Sequence, residues 1–166
     1  MTIITRNSKE TEVLGARISR NVPPGSVLAL RGELGAGKTT FVRGFLRAFG
    51  IRRAVSPTFV IAKTFRVRRR GIFTIIHADL YRLPAGGTLA EVGLAEALND
   101  PTAITLIEWA DRLVRLPRTA LRLRFAMRGT SRRAITLPAV LATTIHPTRP
   151  GRSARVRRRT RARHRG

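Results

Sequence analysis

A glycine-rich turn that ends in lysine and threonine is the clearest chemical signal in this sequence. Residues 32–39 read GELGAGKT and match the pattern G-x-x-x-x-G-K-[ST] at every fixed position. Glycines let the backbone curl so that successive N–H groups point at a phosphate, and a following helix adds the positive end of its dipole. In such a turn Lys38 reaches the β- and γ-phosphates, and the Thr39 hydroxyl binds Mg²⁺. The turn therefore predicts a site for a nucleoside triphosphate with Mg²⁺.

Two carboxylates stand where apolar runs end. Asp79 closes the run FTIIHAD and Glu108 closes AITLIE, in a chain with only 9 acidic residues. A Mg²⁺–nucleotide site needs such an acid to hold the metal or its waters. We expect Glu108 to hold Mg²⁺, directly or through water, and Asp79 to lie nearer the γ-phosphate and position water or metal. The alternative for either acid is a helix cap or a pair with one of the many arginines.

Three neighbouring residues are further candidates for this site. His77 precedes Asp79 by two residues, so both face the same side of a strand. His77 either orients the site or is a structural histidine, and we favour the structural role. Trp109 follows Glu108 and either stacks on a base or a partner, or belongs to the core. Thr58, in the loop SPT, is a candidate γ-phosphate sensor in a switch loop.

The elements around these residues predict an α/β fold in three layers with a mixed central sheet. A strand precedes the glycine-rich turn and a helix follows it, and later β-rich runs read as hairpins. The predicted helices are residues 8–20 with Ser8 as N-cap, 37–49, 88–98 and a short one at 110–116. The predicted strands are residues 27–31, 59–65, 71–83, 103–109, 119–127 and 132–140, with a charged connection, RVRRRG, between the second and third.

The charge of the chain is strongly one-sided. It carries 33 basic and 9 acidic residues, a net charge of +24, and residues 149–166 alone hold 9 Arg and no acid. The rest of the chain is basic as well. A basic surface favours phosphate-rich partners such as RNA. The alternative is that the arginines reflect compositional drift.

The length and the missing residue types limit the classes of protein. A chain of 166 residues fits one domain, which we place at residues 1–140, followed by an Arg-rich, disordered tail at 141–166. The absence of Cys excludes disulfides, thiolate metal sites and cysteine nucleophiles. No apolar run approaches the ~18 residues of a membrane span, and residues 1–7 lack a signal-peptide core. We therefore expect a cytoplasmic protein without membrane contact.

The motifs in combination resemble the TsaE family (older name YjeE), the bacterial ATPase of tRNA threonylcarbamoyladenosine biosynthesis. The resemblance rests on GELGAGKTTFVRGF, SPTF, HADLYRL, EVGL and LIEW, in that order, and covers roughly residues 8–135. It implies a small P-loop NTPase domain with a mixed central sheet and a Mg²⁺-dependent ATPase that is slow alone. Two features depart from the family: the Arg-rich tail, and the Ala of HADLYRL where an aromatic residue often stands.

The resemblance also implies roles for individual residues. It places the phosphate-binding loop on Gly35, Ala36, Gly37, Lys38, Thr39 and Thr40. Its Mg²⁺ ligands correspond to Thr39 and Glu108, and its catalytic residues to Lys38, Asp79, Glu108 and the switch residue Thr58. Thr11 corresponds to the residue that touches adenine. A basic residue after the late hairpin approaches the nucleotide, and Arg132 and Arg133 are both candidates.

The family's partners are the TsaB–TsaD pair, which transfers threonylcarbamoyl to the adenosine next to the anticodon of tRNA. ATP hydrolysis by TsaE is thought to reset that complex. The Arg-rich tail or the basic surface offers a contact with tRNA; the tail is alternatively a solvated extension or the product of a shifted reading frame. Two alternatives remain: a P-loop small-molecule kinase, for which RVRRRG is the only lid-like stretch, and a basic RNA-binding module with a vestigial P-loop.

Overall fold

The computed structural model describes residues 1–52 and 61–142. Seven strands form one sheet in the order β1-β7-β6-β2-β5-β4-β3. The helices are α1 (Ser8–Ser19), α2 (Lys38–Arg47) and α3 (Ala139–Ala142), with short 3₁₀ helices at Ala97–Asn99 and Ala110–Arg112. The strands are β1 (Thr2–Thr5), β2 (Val27–Gly32), β3 (Ala62–Arg69), β4 (Ile72–Asp79), β5 (Ala103–Glu108), β6 (Leu121–Arg128) and β7 (Arg132–Thr136).

The sheet is mixed, as the late hairpins predict. β2 lies between β5 and β6 and pairs with both in parallel, and β4 also pairs with β5 in parallel. The antiparallel pairs are the hairpins β3–β4 and β6–β7, together with β1 on β7. The parallel centre brings the carboxyl ends of β2, β4 and β5 to one edge of the sheet, where ligand sites of such sheets lie.

The two faces of the sheet bury different sets of apolar side chains. In β2, Leu28 and Leu30 join the core beneath α1 and α2, whereas Val27 and Ala29 join a second core on the opposite face. This alternation follows from the two-residue period of a strand. β2 is therefore buried on both faces, which explains why its sequence is a continuous apolar run.

Two glycines bring α1 and α2 into close contact on one face of the sheet. A Cβ atom on Gly44 would lie 1.9 Å from the carbonyl oxygen of Glu12, and one on Gly15 would lie 2.1 Å from that of Phe41. Any larger residue would force the helices apart. This close crossing fixes α2, and hence its N-terminus, at the end of β2.

The opposite face is covered mainly by turns, and the helix predicted at residues 88–98 is wrong. Only Ala97–Asn99 form a 3₁₀ turn there. Thr88 and Glu91 bond to each other as at a helix start, but Gly93 then adopts a left-handed φ of 68°. Val92 and Leu94 are both buried, and a spacing of two residues does not place side chains on one helix face. The predicted helix at 110–116 likewise shrinks to Ala110–Arg112.

Other boundaries differ from the sequence prediction as well. β4 ends at Asp79 and not at residue 83, and β7 ends at Thr136 and not at residue 140, where α3 follows. β1 was not predicted, although its sequence TIIT is entirely β-branched, and it forms because it pairs with β7. The N-cap of α1 is Asn7, whose Oδ1 accepts from the Glu10 amide at 2.9 Å, and not Ser8. Most of the predicted connection RVRRRG belongs to β3, so the turn of the hairpin is only Arg70 and Gly71.

Two predictions about the ends of the chain stay open. The predicted tail lies outside the described residues from position 143 onward, and the domain boundary near residue 140 stays a prediction.

Within the two described ranges, none of the helices is long and apolar enough to cross a membrane.

Candidate active site

The glycine-rich turn connects β2 to α2 at the carboxyl edge of the sheet. Gly37 is the N-cap of α2 and has a left-handed φ of 100°, which favours glycine. A Cβ on Gly37 would lie 3.5 Å from side-chain atoms of both Thr11 and Arg133. Glycine therefore leaves the backbone of the turn open beside two residues that come from α1 and β7.

Lys38 is the first residue of α2 and its side chain folds back over the turn. Its Nζ donates to the carbonyl oxygens of Gly32 at 2.7 Å and Glu33 at 2.8 Å. The same atom lies 3.7 Å from the centre of the Trp109 ring, a cation–π contact. The lysine is buried, and two carbonyl oxygens and an aromatic ring hold its ammonium beside the turn.

Burial lowers the pKa of Lys38 below its ordinary value, because a low-dielectric environment disfavours the charged form. Nearby carboxylates favour the charged form and offset part of this effect; in order of size they are those of Glu108, Asp111 and Asp79. A bound anion beside Nζ would act in the same direction as these carboxylates.

Thr39, Glu108 and His77 form one hydrogen-bonded chain. The Thr39 hydroxyl donates to Oε2 of Glu108 at 2.7 Å, and Nε2 of His77 lies 2.8 Å from Oε1 of the same carboxylate. The side chains of Glu108 and His77 are each 1% exposed. Both oxygens of the buried carboxylate are thus engaged, which fixes its orientation.

The contact between His77 and Glu108 changes the role expected for the histidine. Nδ1 of His77 is buried and has no hydrogen-bond partner among the described residues. The ring therefore bonds through Nε2, and a proton on that nitrogen lets it donate to the carboxylate. His77 belongs to the site as a residue that orients Glu108, and not only to the core as we favoured from the sequence.

Register brings the two strand-end acids side by side. β4 and β5 end at Asp79 and Glu108, and these two residues are direct neighbours across the parallel pair. Oδ1 of Asp79 also accepts from the Tyr81 amide at 3.1 Å, which holds the chain as it leaves β4. The expectation that both acids stand at strand ends is confirmed, whereas their roles stay predictions.

Trp109 follows β5 in an unusual backbone conformation. Its φ of 57° and ψ of 39° lie in the left-handed region, which a bulky residue occupies only where the surroundings fix it. Its ring packs against Tyr81 at 4.9 Å between centroids, and Lys38 lies against the ring as described above. The sequence marked Trp109 as a candidate but carried no sign of this contact with the lysine.

Of the two arginines predicted to approach the nucleotide, the structure places only one at the phosphate-binding turn. Nε of Arg133 donates to the carbonyl oxygen of Gly35 at 2.9 Å, whereas Arg132 is exposed and points to the other face of the sheet. Thr11 is buried next to Gly37, and its hydroxyl lies 2.7 Å from that of Thr5. Thr11 and Arg133 therefore lie at the phosphate-binding turn, although contact with a nucleotide stays a prediction for both.

A cavity of about 220 Å³ lies at the mouth of the turn. Its lining includes most of the predicted loop and one of the two acids: Leu34, Gly35, Gly37, Lys38, Thr39, Thr40, Glu108 and Trp109. Ala36 is fully buried and supports the turn from below through its amide, which donates to Glu33 O at 3.2 Å. The switch candidate Thr58 lies outside the described residues.

The donor atoms of this cavity suit Mg²⁺. The Thr39 hydroxyl and the Glu108 carboxylate are hard oxygen ligands 2.7 Å apart, and Asp79 is the neighbour of Glu108 in the sheet. No group of three or more His, Cys, Asp or Glu within residues 1–52 and 61–142 could hold a metal by itself. A Mg²⁺ ion held by Thr39 and Glu108 would therefore need phosphate oxygens and waters to complete its shell.

Comparison with known proteins bears on the identity of this site. A family model described as "Threonylcarbamoyl adenosine biosynthesis protein TsaE" matches residues 5–135, which include both the turn and the strand-end acids. The chain belongs to the TsaE family. The resemblance inferred from the motifs is therefore confirmed.

Individual TsaE relatives match over most of their length. The tRNA threonylcarbamoyladenosine biosynthesis protein TsaE of Bacillus subtilis (strain 168) is 37% identical over 138 residues, 82% of this chain and 84% of that protein. The protein of the same name from Rickettsia felis is 37% identical over 111 residues, 66% of this chain and 62% of that protein.

A solved structure supports the same assignment. The crystal structure of Bacillus subtilis YdiB superposes with a TM-score of 0.62 at 32% identity, and covers 84% of this chain and 85% of that one. With the mixed sheet described above, this match confirms the α/β P-loop NTPase fold expected from the sequence. The names of the two TsaE relatives place those proteins in the biosynthesis of a modified tRNA nucleoside.

Proposed function

We propose that this protein is a Mg²⁺-dependent ATPase that supports the formation of N6-threonylcarbamoyladenosine next to the anticodon of tRNA. In this role it binds ATP at the turn of residues 32–39, hydrolyses it slowly alone, and uses hydrolysis to reset the TsaB–TsaD transferase complex. Such a role belongs in the cytoplasm, where tRNA is modified. Membership of the TsaE family supports the pathway, and the geometry of the site supports the ATPase.

The contact between Thr39 and Glu108 is the observation that carries the ATPase proposal. A hydroxyl on the first turn of α2 and a carboxylate at the end of β5 meet at 2.7 Å, directly beside Lys38. A buried carboxylate costs free energy unless it is paired and hydrogen-bonded, and here Thr39 and His77 supply the hydrogen bonds. A magnesium ion held by Thr39 and Glu108 would add the opposite charge that these neutral partners do not provide.

The proposal assigns a role to each residue of the site. The amides of the turn and Nζ of Lys38 hold the β- and γ-phosphates, which would draw Nζ away from the carbonyl oxygens it now contacts. Thr39 and Glu108 would hold Mg²⁺, which when bound would neutralise the charge that develops on the phosphates. His77 keeps the Glu108 carboxylate in orientation. Asp79 positions the attacking water.

The kinase alternative is weakened, because the lid-like stretch that the sequence suggested for it has other contacts. Arg69 and Arg70, from the stretch RVRRRG, donate to the carbonyl oxygens of Ala48 and Arg20, respectively. These carbonyls belong to the C-terminal ends of α2 and α1. The N-terminus of α2, where the phosphates would bind, is at the other end of that helix, so this stretch caps helices and covers no phosphate.

The proposal is tested by complementation and by phosphate release. Lys38→Ala, Asp79→Ala and Glu108→Ala are each expected to abolish ATP-dependent support of tRNA modification, the first through nucleotide binding and the other two mainly through hydrolysis. Wild-type levels of the modified nucleoside in cells that carry only Glu108→Ala would contradict the proposal. With labelled ATP, free phosphate supports an ATPase, whereas a labelled small product would support a kinase. A pull-down with the TsaB–TsaD pair and ATP tests the partners.

A further inference from the structure

A stripe of arginines crosses the face of the sheet that lies opposite to α1 and α2. In β6, Leu123 and Phe125 point into the core beneath the helices, so Arg122, Arg124 and Arg128 point to the other face. All three are exposed. We call this group, with Arg31 of β2 and Arg132 of β7, the arginine face.

Strand pairing fixes how these arginines lie relative to each other. Arg31 is the direct neighbour of Arg124 across β2–β6, and Arg128 is the direct neighbour of Arg132 across β6–β7. Along β6, alternate residues lie about 7 Å apart. The result is a surface of five guanidinium groups on three adjacent strands, with spacing comparable to that of successive phosphates in a nucleic-acid strand.

This half of the sheet is open on the side of the arginine face. The second core cluster draws its apolar residues from β2, β4, β5 and the turns around them, and the described residues of β1, β6 and β7 contribute none. The covering layer therefore ends at β2. Beyond that strand the arginines of β6 and β7 on this face are exposed in the described part of the chain, so a partner can reach them without rearrangement of the described residues.

A cavity of about 570 Å³ lies where the arginine face meets the phosphate-binding turn. Arg31, Arg122 and Arg124 line it together with Trp109 and two acids, Glu33 and Asp111. Nε of Arg31 is buried there and has no hydrogen-bond partner within the described part of the chain. Neither acid comes within 4.0 Å of these arginines among the described ion pairs.

Like charges in direct opposition on neighbouring strands destabilise a sheet. Two such pairs, and a buried guanidinium nitrogen without an acceptor, carry a free-energy cost that an anion would remove. Arginine forks also match phosphate oxygens in a bidentate manner. The charge of the face, its extent over three strands, and the aromatic ring at its end fit a polyanion with bases better than a single small anion.

We propose that the arginine face binds the phosphodiester backbone of RNA, and that the bound strand reaches the cavity beside Trp109 at one end of the face. The inference rests on the proposed function only for the choice of tRNA as the RNA to test first. Binding is through the backbone, so it depends on salt and not on sequence. The face lies on the side of the sheet opposite to α2, and it meets the phosphate-binding cavity at Trp109, which lines both cavities.

The test compares two triple variants of the full chain that lose equal charge. R122Q/R124Q/R128Q removes three arginines of the face and leaves Arg31 and Arg132 in place. The control removes three exposed arginines elsewhere, in R66Q/R68Q/R118Q. Binding of a transcribed tRNA and of poly(A) is measured by fluorescence anisotropy from about 50 to 200 mM salt. Thermal melting and ATP hydrolysis of each variant report on folding and on the active site.

The face variant is expected to bind both RNAs at least about tenfold more weakly than the control, with a salt slope smaller by about three. Equal affinity and slope in the two variants would overturn the proposal. The proposal would also be overturned if R122Q/R124Q/R128Q kept its RNA affinity but no longer captured the TsaB–TsaD pair, because the face would then be a protein interface. If the wild-type protein does not hydrolyse ATP, the proposed function is contradicted, whereas the result on RNA binding still stands.

Discussion

Replacing Glu108 by glutamine is the most informative single change at the site, because it removes the charge and preserves the shape. The carboxylate accepts from Thr39 at 2.7 Å and bonds to His77 at 2.8 Å, and its side chain is 1% exposed. Glutamine can keep a hydrogen bond to each neighbour after the Thr39 hydroxyl rotates. It cannot hold Mg²⁺ with a negatively charged oxygen.

The effect on stability follows from these two contacts. A hydrogen bond to a charged group contributes about 1.5–3 kcal/mol, and one between neutral groups about 0.5–1.5 kcal/mol. Two bonds therefore lose about 2 kcal/mol in total, and relief from the burial of a charge offsets part of this loss. We expect the free energy of unfolding of Glu108→Gln to fall by about 1–2 kcal/mol. Glu108→Ala, which leaves the buried His77 and the half-buried Thr39 without their acceptor, is expected to lose about 2–4 kcal/mol.

The effect on hydrolysis is expected to be larger than the effect on stability. Loss of the metal-binding charge should reduce phosphate release at saturating ATP at least about a hundredfold, equivalent to about 2.7 kcal/mol in the barrier. ATP should still bind, because Lys38 and the turn are intact.

Urea denaturation, equilibrium ATP binding and phosphate release at several Mg²⁺ concentrations measure the three quantities. Glu96→Gln, at an exposed glutamate, is the matched control. Hydrolysis within about twofold of wild type, with an unchanged Mg²⁺ dependence, would refute the assignment of Glu108.

Three other predictions concern the same site, and a fourth concerns the tail. Lys38→Ala should weaken ATP binding about 30- to 1000-fold in calorimetry, whereas Lys9→Ala at an exposed lysine should not change it. Because burial lowers the pKa of Lys38 and a bound triphosphate raises it again, ATP binding should take up a proton and weaken as the pH rises through the lowered pKa. Calorimetry in buffers of different ionisation enthalpy detects that proton, and Lys38→Arg should abolish it. The sole tryptophan, Trp109, should change its fluorescence when ATP draws the ammonium from its ring; an unchanged spectrum at saturation would contradict this. A chain that ends at Pro147 should keep its ATPase activity, and a large loss of phosphate release would assign a role to the Arg-rich tail.

Much of the candidate site could be read from the sequence because its signals are local. The spacing of glycine, lysine and threonine in residues 32–39 encodes the turn itself, and β2 and α2 follow from the apolar patterns beside it. Asp79 and Glu108 stand directly after apolar runs, so the ends of β4 and β5 were visible as well. The same local reasoning failed at residues 88–98. There the left-handed conformation of Gly93 and the burial of both Val92 and Leu94 are incompatible with the helix that the sequence pattern indicated.

The tertiary structure decided which of these residues meet. The sequence by itself determined the phosphate-binding turn, the two strand-end acids and the family. Register between β4 and β5 places Asp79 beside Glu108, and the meeting of β5 with α2 joins Glu108 to Thr39. The approach of Arg133 to a turn 98 residues earlier depends on β7, whose place in the sheet no local pattern encodes. Such contacts arise from strand order and register, which follow from the packing of the whole chain and not from the spacing of neighbouring residues.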